Sequence, residues 1–236
     1  MQTAKEIRSF LQTQQNLSKK EILQRFFKTG KGEYGYGDVF LGLTVPQTRA
    51  FAKSFQHIPL AEVESLLRSP EHECRLCALE ILIFKYKTKD EVVRQAIFDL
   101  YLRQTEHVNN WDLVDLSAPK LVAPHLPSGE RDILYKLAES SNMWERRISV
   151  VATLAYVRKN DLEDAVRLCS LHIEDPHDLM HKAVGWVLRE IGKKDMSRLR
   201  DFLHEHKAKI ARTTLRYAIE KMEKEERTYF MTLNQK

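Results

Sequence analysis

Apolar residues along this chain return at every third or fourth position rather than every second, a spacing that predicts helix almost throughout and offers no convincing strand. Only 8 glycines and 7 prolines interrupt the pattern. Ser18-Lys19-Lys20-Glu21 has the form of a capping box and opens a helix running through Phe27. Pro46, Pro70 and Pro176 stand where prolines begin helices. Five glycines (Gly30, Gly32, Gly35, Gly37 and Gly42) share one stretch with Tyr34, Tyr36 and Phe40. That stretch lacks the Gly-Lys-Ser or Gly-Lys-Thr ending of a phosphate-binding loop and the strand context of a dinucleotide fingerprint. It reads as a linker behind an N-terminal helical cap, with Tyr34 or Tyr36 as a candidate ligand contact.

Four later segments resemble one another: Glu73-Cys74-Arg75-Leu76-Cys77-Ala78-Leu79-Glu80, Asn109-Asn110-Trp111-Asp112-Leu113-Val114-Asp115-Leu116, Glu145-Arg146-Arg147-Ile148-Ser149-Val150-Val151-Ala152, and Met180-His181-Lys182-Ala183-Val184-Gly185-Trp186-Val187. Aligned on Arg75, Trp111, Arg147 and Lys182 they recur at separations of 36, 36 and 35, and a shorter interval reaches Arg212. A shorter helix before each anchor helix makes this the period of a HEAT-like helix-pair solenoid. The predicted fold is therefore all-α, a curved superhelix with a concave basic groove. It forms a single domain over 1–236: a helical cap and Gly-rich loop over 1–45, helix-pair repeats over 46–222, and a polar tail over 223–236.

In such an array the second helix of each pair lines the concave face, where partners bind. The anchors Arg75, Trp111, Arg147, Lys182 and Arg212 would stand there, followed one turn later by Leu79, Asp115, Val151, Trp186 and Arg216. The stripe is cationic and aromatic with one carboxylate inside it. Cations about one repeat apart suit a phosphate backbone, and Trp faces suit sugars or a cationic base. The bland alternative puts Trp111 and Trp186 in the inter-repeat core and ties Asp115 to Arg147 as a buried pair. Each residue alone fits that alternative; their coincidence in register favours the groove.

Composition sharpens this reading without redirecting it. With 236 residues, 43% of them hydrophobic, the chain can bury a real core. Lys and Arg number 38 against 33 Asp and Glu, a net charge of +5. Lys193, Lys194, Arg198, Arg200, Lys207, Lys209, Arg212 and Arg216 crowd one segment, opposed by Asp195, Asp201 and Glu205. Such a surface attracts phosphate, although the solvated face of ordinary helices reads the same way. Three cysteines give no disulfide framework and point to a reducing compartment, with the cytoplasm as the expected location. The N-terminus breaks any apolar run at once, and no stretch of roughly 18 apolar residues exists, which argues against secretion and a membrane span.

Cys74 and Cys77 have CxxC spacing but fall within a predicted helix and read as small core residues. His172, His177, His181, His204 and His206 form a loose group without ligand spacing and read as solvated or capping. No nucleophile elbow and no HExxH occurs, so no metal and no cofactor is expected.

At Asn110-Trp111-Asp112-Leu113-Val114-Asp115, Trp144-Glu145-Arg146-Arg147 and Lys182-Ala183-Val184-Gly185-Trp186-Val187-Leu188-Arg189-Glu190 the chain resembles the AlkD-like DNA alkylation repair family, HEAT-like-repeat glycosylases that remove N3- and N7-alkylated purines. Phe40-Leu41-Gly42-Leu43-Thr44-Val45-Pro46-Gln47-Thr48-Arg49 resembles the family's N-terminal signature. The resemblance covers most of the chain and implies Asp115, Trp111, Trp186 and Arg147 as the active-site set. Lys182, Arg189, Arg212, Arg216, Arg75 and Tyr36 are the expected DNA contacts. The implied partner is double-stranded DNA carrying alkylated purines, engaged by a monomer without a deep base-flipping pocket. A cationic alkylpurine leaves as a neutral base and needs no general acid, unlike ordinary glycoside hydrolysis. One carboxylate, Asp115, suffices to stabilise the oxocarbenium sugar and orient water. The reading of different class is a catalytically silent HEAT-like module binding nucleic acid or protein through the same face. A scaffold has no evident need for Asp115, which would repel phosphate.

Overall fold

In the computed structural model, which describes residues 3–233, side-chain caps open the first three helices. Thr3 and Glu6 form a capping box at the head of α1 (Ala4–Thr13). α2 (Leu17–Phe26) is capped by Asn16, whose side-chain oxygen accepts from the Lys19 N–H. This displaces the expected Ser18 cap: Asn16 holds the extended backbone of a cap, and Ser18 lies inside the first turn. Thr44 and Gln47 box the start of α3 (Val45–Ser54), with Pro46 in its first turn as expected. α4 (Leu60–Leu67), α5 (His72–Lys85) and α6 (Glu91–Arg103) follow, then α7 (Trp111–Leu121). Beyond them come α8 (Asp132–Ala138), α9 (Met143–Ala152), α10 (Leu154–Val157), α11 (Glu163–Leu171), α12 (Asp178–Lys194), α13 (Met196–Glu205), α14 (Arg212–Ala218) and α15 (Lys224–Leu233). Pro70 and Pro176 do not begin helices, because the extended residues Glu71 and His177 intervene as caps of α5 and α12.

The chain is all-α; among the described residues the extended backbone pairs only in an isolated bridge between Val39 and Glu71. Two units divide within α7, Met1–Ser117 and Ala118–Lys236. In the first, α5 is the core helix: every residue from His72 to Ile83 is buried, and α3, α4, α1 and α6 pack around it. Cys74 and Cys77 lie in this core as expected, and burial pushes the Cys77 thiol up to about 12.

The Gly-rich stretch is not a linker. Phe40, Leu41 and Leu43 are buried, and Gly42 turns with φ +89° where an added Cβ would lie 2.1 Å from the Asn16 carbonyl oxygen. Only glycine fits that turn. The Glu73 carboxylate, 1% exposed, accepts the backbone N–H groups of Leu41 at 2.8 Å, Gly42 at 2.8 Å and Leu43 at 3.1 Å. An acid on the core helix thus fixes the loop, a pairing 30 to 32 residues long in sequence that no local pattern displays.

In the second unit α9 packs on α12 and α12 on α14, while α8 lies on α9 and α11 and α13 lie on α12. Successive helices α8–α9 and α11–α12 pack as pairs, an arrangement consistent with a helix-pair repeat, and α9, α12 and α14 carry the anchors Arg147, Lys182 and Arg212. Gly185 permits the α12–α14 approach: a Cβ there would meet the Tyr217 Cβ at 2.5 Å and the Thr214 carbonyl oxygen at 2.6 Å. Gly185→Ala is expected to destabilise by about 1–3 kcal/mol, since overpacking against backbone outweighs the roughly 1 kcal/mol gained in helix propensity. Thermal or urea unfolding checks this; an unchanged or raised midpoint would contradict the tight crossing.

Residues 223–233 are not a tail, and 234–236 lie outside the described residues. α15 docks through Phe230, 3% exposed and 5.2 Å from the His204 ring, and through Glu226 against Arg200 at 2.5 Å. One buried aromatic and one ion pair thus tie down a helix whose composition is polar.

Candidate active site

α7 positions the first half of the expected set. Trp111 opens the helix and Asp115 stands one turn on, both half-buried. The Trp111 ring stacks on Phe27 at 5.2 Å and 16°, with Phe26 edge-on at 6.1 Å. Phe27 stacks on Phe40 at 4.9 Å, and Phe40 on His72 at 4.4 Å. The aromatic wall at Trp111 therefore continues inward to a buried histidine. Asp115 lies near enough to the buried Tyr101 for its charge to matter: burial raises the phenol's pKa, and the carboxylate adds to the rise. Tyr101 keeps its proton and bonds to Ser117 Oγ at 2.9 Å.

His72 is held between two carboxylates, Nδ1 to Asp38 at 2.9 Å and Nε2 to Asp112 at 2.8 Å. Both ring nitrogens face acceptors, which favours the imidazolium. Burial works to lower its pKa, but Asp112 and Asp38 together raise it to about 9. Asp38 itself sits below the usual carboxylate range: burial works to raise it, and His72 and Arg75 more than offset that. A histidine with its folded pKa raised from 6.5 to about 9 adds stability that is complete below pH 6.5 and lost as pH rises through 9. Up to roughly 3 kcal/mol should vanish across that window in urea unfolding, and His72→Gln should flatten the dependence. A wild-type profile parallel to that of His72→Gln would show that the histidine does not carry it.

Arg75 is not presented to a ligand. It is 4% exposed, bonding to Asp38 Oδ1 at 2.8 Å and to the carbonyls of Ser69 and Pro70. Leu79 and Val151, one turn after Arg75 and Arg147, are fully buried. The stripe fails in α5 and α9 because these helices are surrounded on most sides and have little outward face. Of the N-terminal tyrosines, Tyr36 is 67% exposed, whereas Tyr34 is half-buried with its hydroxyl 3.5 Å from the Phe26 carbonyl.

The second unit holds the remaining expected residues. Arg147 is 4% exposed and donates from Nη1 to the Leu179 carbonyl, tying α9 to α12. On α12, Lys182, Trp186 and Arg189 follow at helical spacing. Trp186 lines a cleft of about 170 Å³ with Leu154, Val157, Arg158, Glu190 and Lys194. Lys182 pairs with Asp178 at 2.7 Å, and Arg189 with Glu220. Arg212 and Arg216 are exposed one turn apart on α14. The histidines fall as expected at helix caps or in solvent, His177 and His204 being exposed. His172 and His206 are buried at the C-terminal caps of α11 and α13, and His177 caps α12. Among the described residues no three metal-ligating groups converge.

A family model described as DNA alkylation repair enzyme matches residues 7–222. The chain belongs to that family. A solved structure titled "Predicted DNA alkylation repair enzyme from Enterococcus faecalis" is similar in fold, with a TM-score of 0.71 and 18% identity over 89% of this chain and 97% of that one. No curated protein matches the chain. Membership in this DNA repair family implies DNA as the substrate, and among the described residues no helix is long and apolar enough to cross a membrane.

Family membership does not single out Phe26, Phe27, Asp38 or His72, and the sequence reading missed all four. The pair Phe26-Phe27 at the end of an amphipathic segment is the only local signal for the aromatic wall. Asp38 and Asp112 lie 34 and 40 residues from His72, and nothing in a single sequence links them.

Proposed function

We propose that this family member is a monofunctional DNA glycosylase that excises positively charged N3- and N7-alkylated purines from duplex DNA. The observation that carries the reading is Asp115, a partly exposed carboxylate one turn from the partly exposed Trp111, in a chain of the DNA alkylation repair family. The C1′–N9 bond of an N7-alkylated or N3-alkylated purine breaks with its electron pair leaving on the base, which departs neutral. Positive charge then develops at C1′ and O4′ of the sugar. Asp115 stabilises that charge and orients the water whose oxygen bonds to C1′ and whose proton passes to solvent. No lysine nucleophile is required, so the product is an abasic site in an unbroken strand.

Trp111, braced by Phe27, offers a rigid face to the sugar or the cationic base, a contact worth roughly 0.5–2 kcal/mol. Trp186 has the same role on its own unit. Arg147 is too enclosed to grip a phosphate freely, and its role here is to fix α12, which carries Trp186. Lys182, Arg189, Arg212, Arg216 and Tyr36 contact the backbone. The surface pair of Lys182 with Asp178 is worth about 0–1 kcal/mol, so its exchange for a phosphate costs little. The test is the fate of methylated duplex: strands should stay intact after incubation and break at purines only on heating in alkali. Direct nicking, or no alkali-labile sites, would refute the monofunctional reading.

A further inference from the structure

Most arginines of the second unit are already engaged within the protein. Arg131 reaches Asp161 and Asp164, Arg146 reaches Asp175, Arg198 reaches Glu163, and Arg200 reaches Glu226. Arg212, Arg216 and Arg227 are different. Among the described residues no carboxylate pairs with any of them, nor with Lys224, and all four are exposed. These four cations line one open groove of about 920 Å³ between α14 and α15. The single acid lining it, Glu220, is engaged by Arg189 and by Lys221 at 3.2 Å. Glu226 on α15 is turned to Arg200 at 2.5 Å. Glu220 and Glu226 are thus committed to other cations, and the exposed Glu223 and Glu225 beside Lys224 do not line the groove, whose lining stays net positive.

We infer that the α14–α15 groove is a backbone-binding site for duplex DNA, in which Lys224 and Arg227 on α15 grip phosphates opposite Arg212 and Arg216 on α14. Lys224 and Arg227 lie beyond residues 7–222, where the family match ends, so this wall is not part of what that match covers. The groove's remaining lining is largely apolar, including Tyr217, Ile219 and Met231, which suits the sugar edge of a strand held by its phosphates. Docking of α15 through Phe230 and Glu226 fixes the spacing of the two cationic walls before DNA arrives. The inference rests on DNA being the substrate, but not on base excision.

The test is fluorescence anisotropy of a short undamaged duplex across a salt series, comparing wild type with Lys224→Ala/Arg227→Ala. Lys207→Ala, an exposed cation that does not line the groove, controls for loss of charge alone. The double variant should bind several-fold more weakly, and its slope of log K against log salt should be shallower by about 0.9 for each phosphate it no longer neutralises. Arg227→Glu alone should weaken binding further than Arg227→Ala. Affinity and slope equal to the Lys207→Ala control, or a wild type that does not bind duplex, would overturn the inference. A weakened double variant of a protein that releases no base would uphold the groove and defeat the glycosylase reading.

Discussion

Asp115→Asn is expected to bind alkylated duplex at least as tightly as the wild type while excising alkylpurines on the order of 10²–10³-fold more slowly. The substitution keeps the side chain's size and shape at the second turn of α7, removes its charge and exchanges one acceptor oxygen for an amide donor. Charge is what the proposed chemistry needs. The ground state carries its positive charge on the base, and the transition state moves it to the sugar, so a fixed carboxylate near C1′ stabilises the second state selectively. A preorganised electrostatic contact of this kind contributes about 2.7–4 kcal/mol in comparable sites, which sets the expected factor. Loss of a negative charge beside a phosphate backbone should not weaken binding. Single-turnover excision with the variant in excess separates the two effects. A rate within a few-fold of wild type would mean that Asp115 is not the stabilising group.

The largest expected effect on stability is at Glu73. Its carboxylate satisfies three buried backbone N–H groups of the loop, with Oε1 taking Gly42 and Leu43 and Oε2 taking Leu41. Glu73→Ala leaves all three without partners, each at about 1–3 kcal/mol, and is expected to cost at least 3–5 kcal/mol in total. Glu73→Gln should be intermediate: its carbonyl oxygen replaces Oε1, but its amide then turns a donor toward the Leu41 N–H. The same loop carries Asp38 and Phe40, which hold His72 and the aromatic stack behind Trp111. Glu73→Gln should therefore blunt excision as well as stability. Urea unfolding of both variants, with the order Ala below Gln below wild type, is the check; an order with Gln at wild-type stability would contradict the donor conflict.

The all-helical class and the succession of α9, α12 and α14 were legible because helix period and repeat period are properties of neighbouring residues. Trp111 and Asp115 share a face for the same reason. What the register could not show was how many neighbours each anchor helix has. Arg75 and Arg147 occupy equivalent positions to Lys182 and Arg212, yet α5 and α9 are enclosed and the two arginines became internal. Polar composition likewise concealed α15, since Phe230 is its one buried side chain and its other tie is the Glu226–Arg200 ion pair. The loop was misjudged as a linker because glycine content reports backbone freedom, while its order comes from Glu73 about 30 residues away. The Asp38–His72–Asp112 cluster was invisible for the same cause: its two carboxylates meet the buried His72 and Arg75 only after the chain has folded.

The most direct measurement is release of free N3-methyladenine and N7-methylguanine from methylated duplex DNA by the wild-type protein, quantified by mass spectrometry against a protein-free control. Both bases should appear in solution in amounts matching the abasic sites left in the DNA. Tight binding to the duplex with no base released above the control would contradict the account.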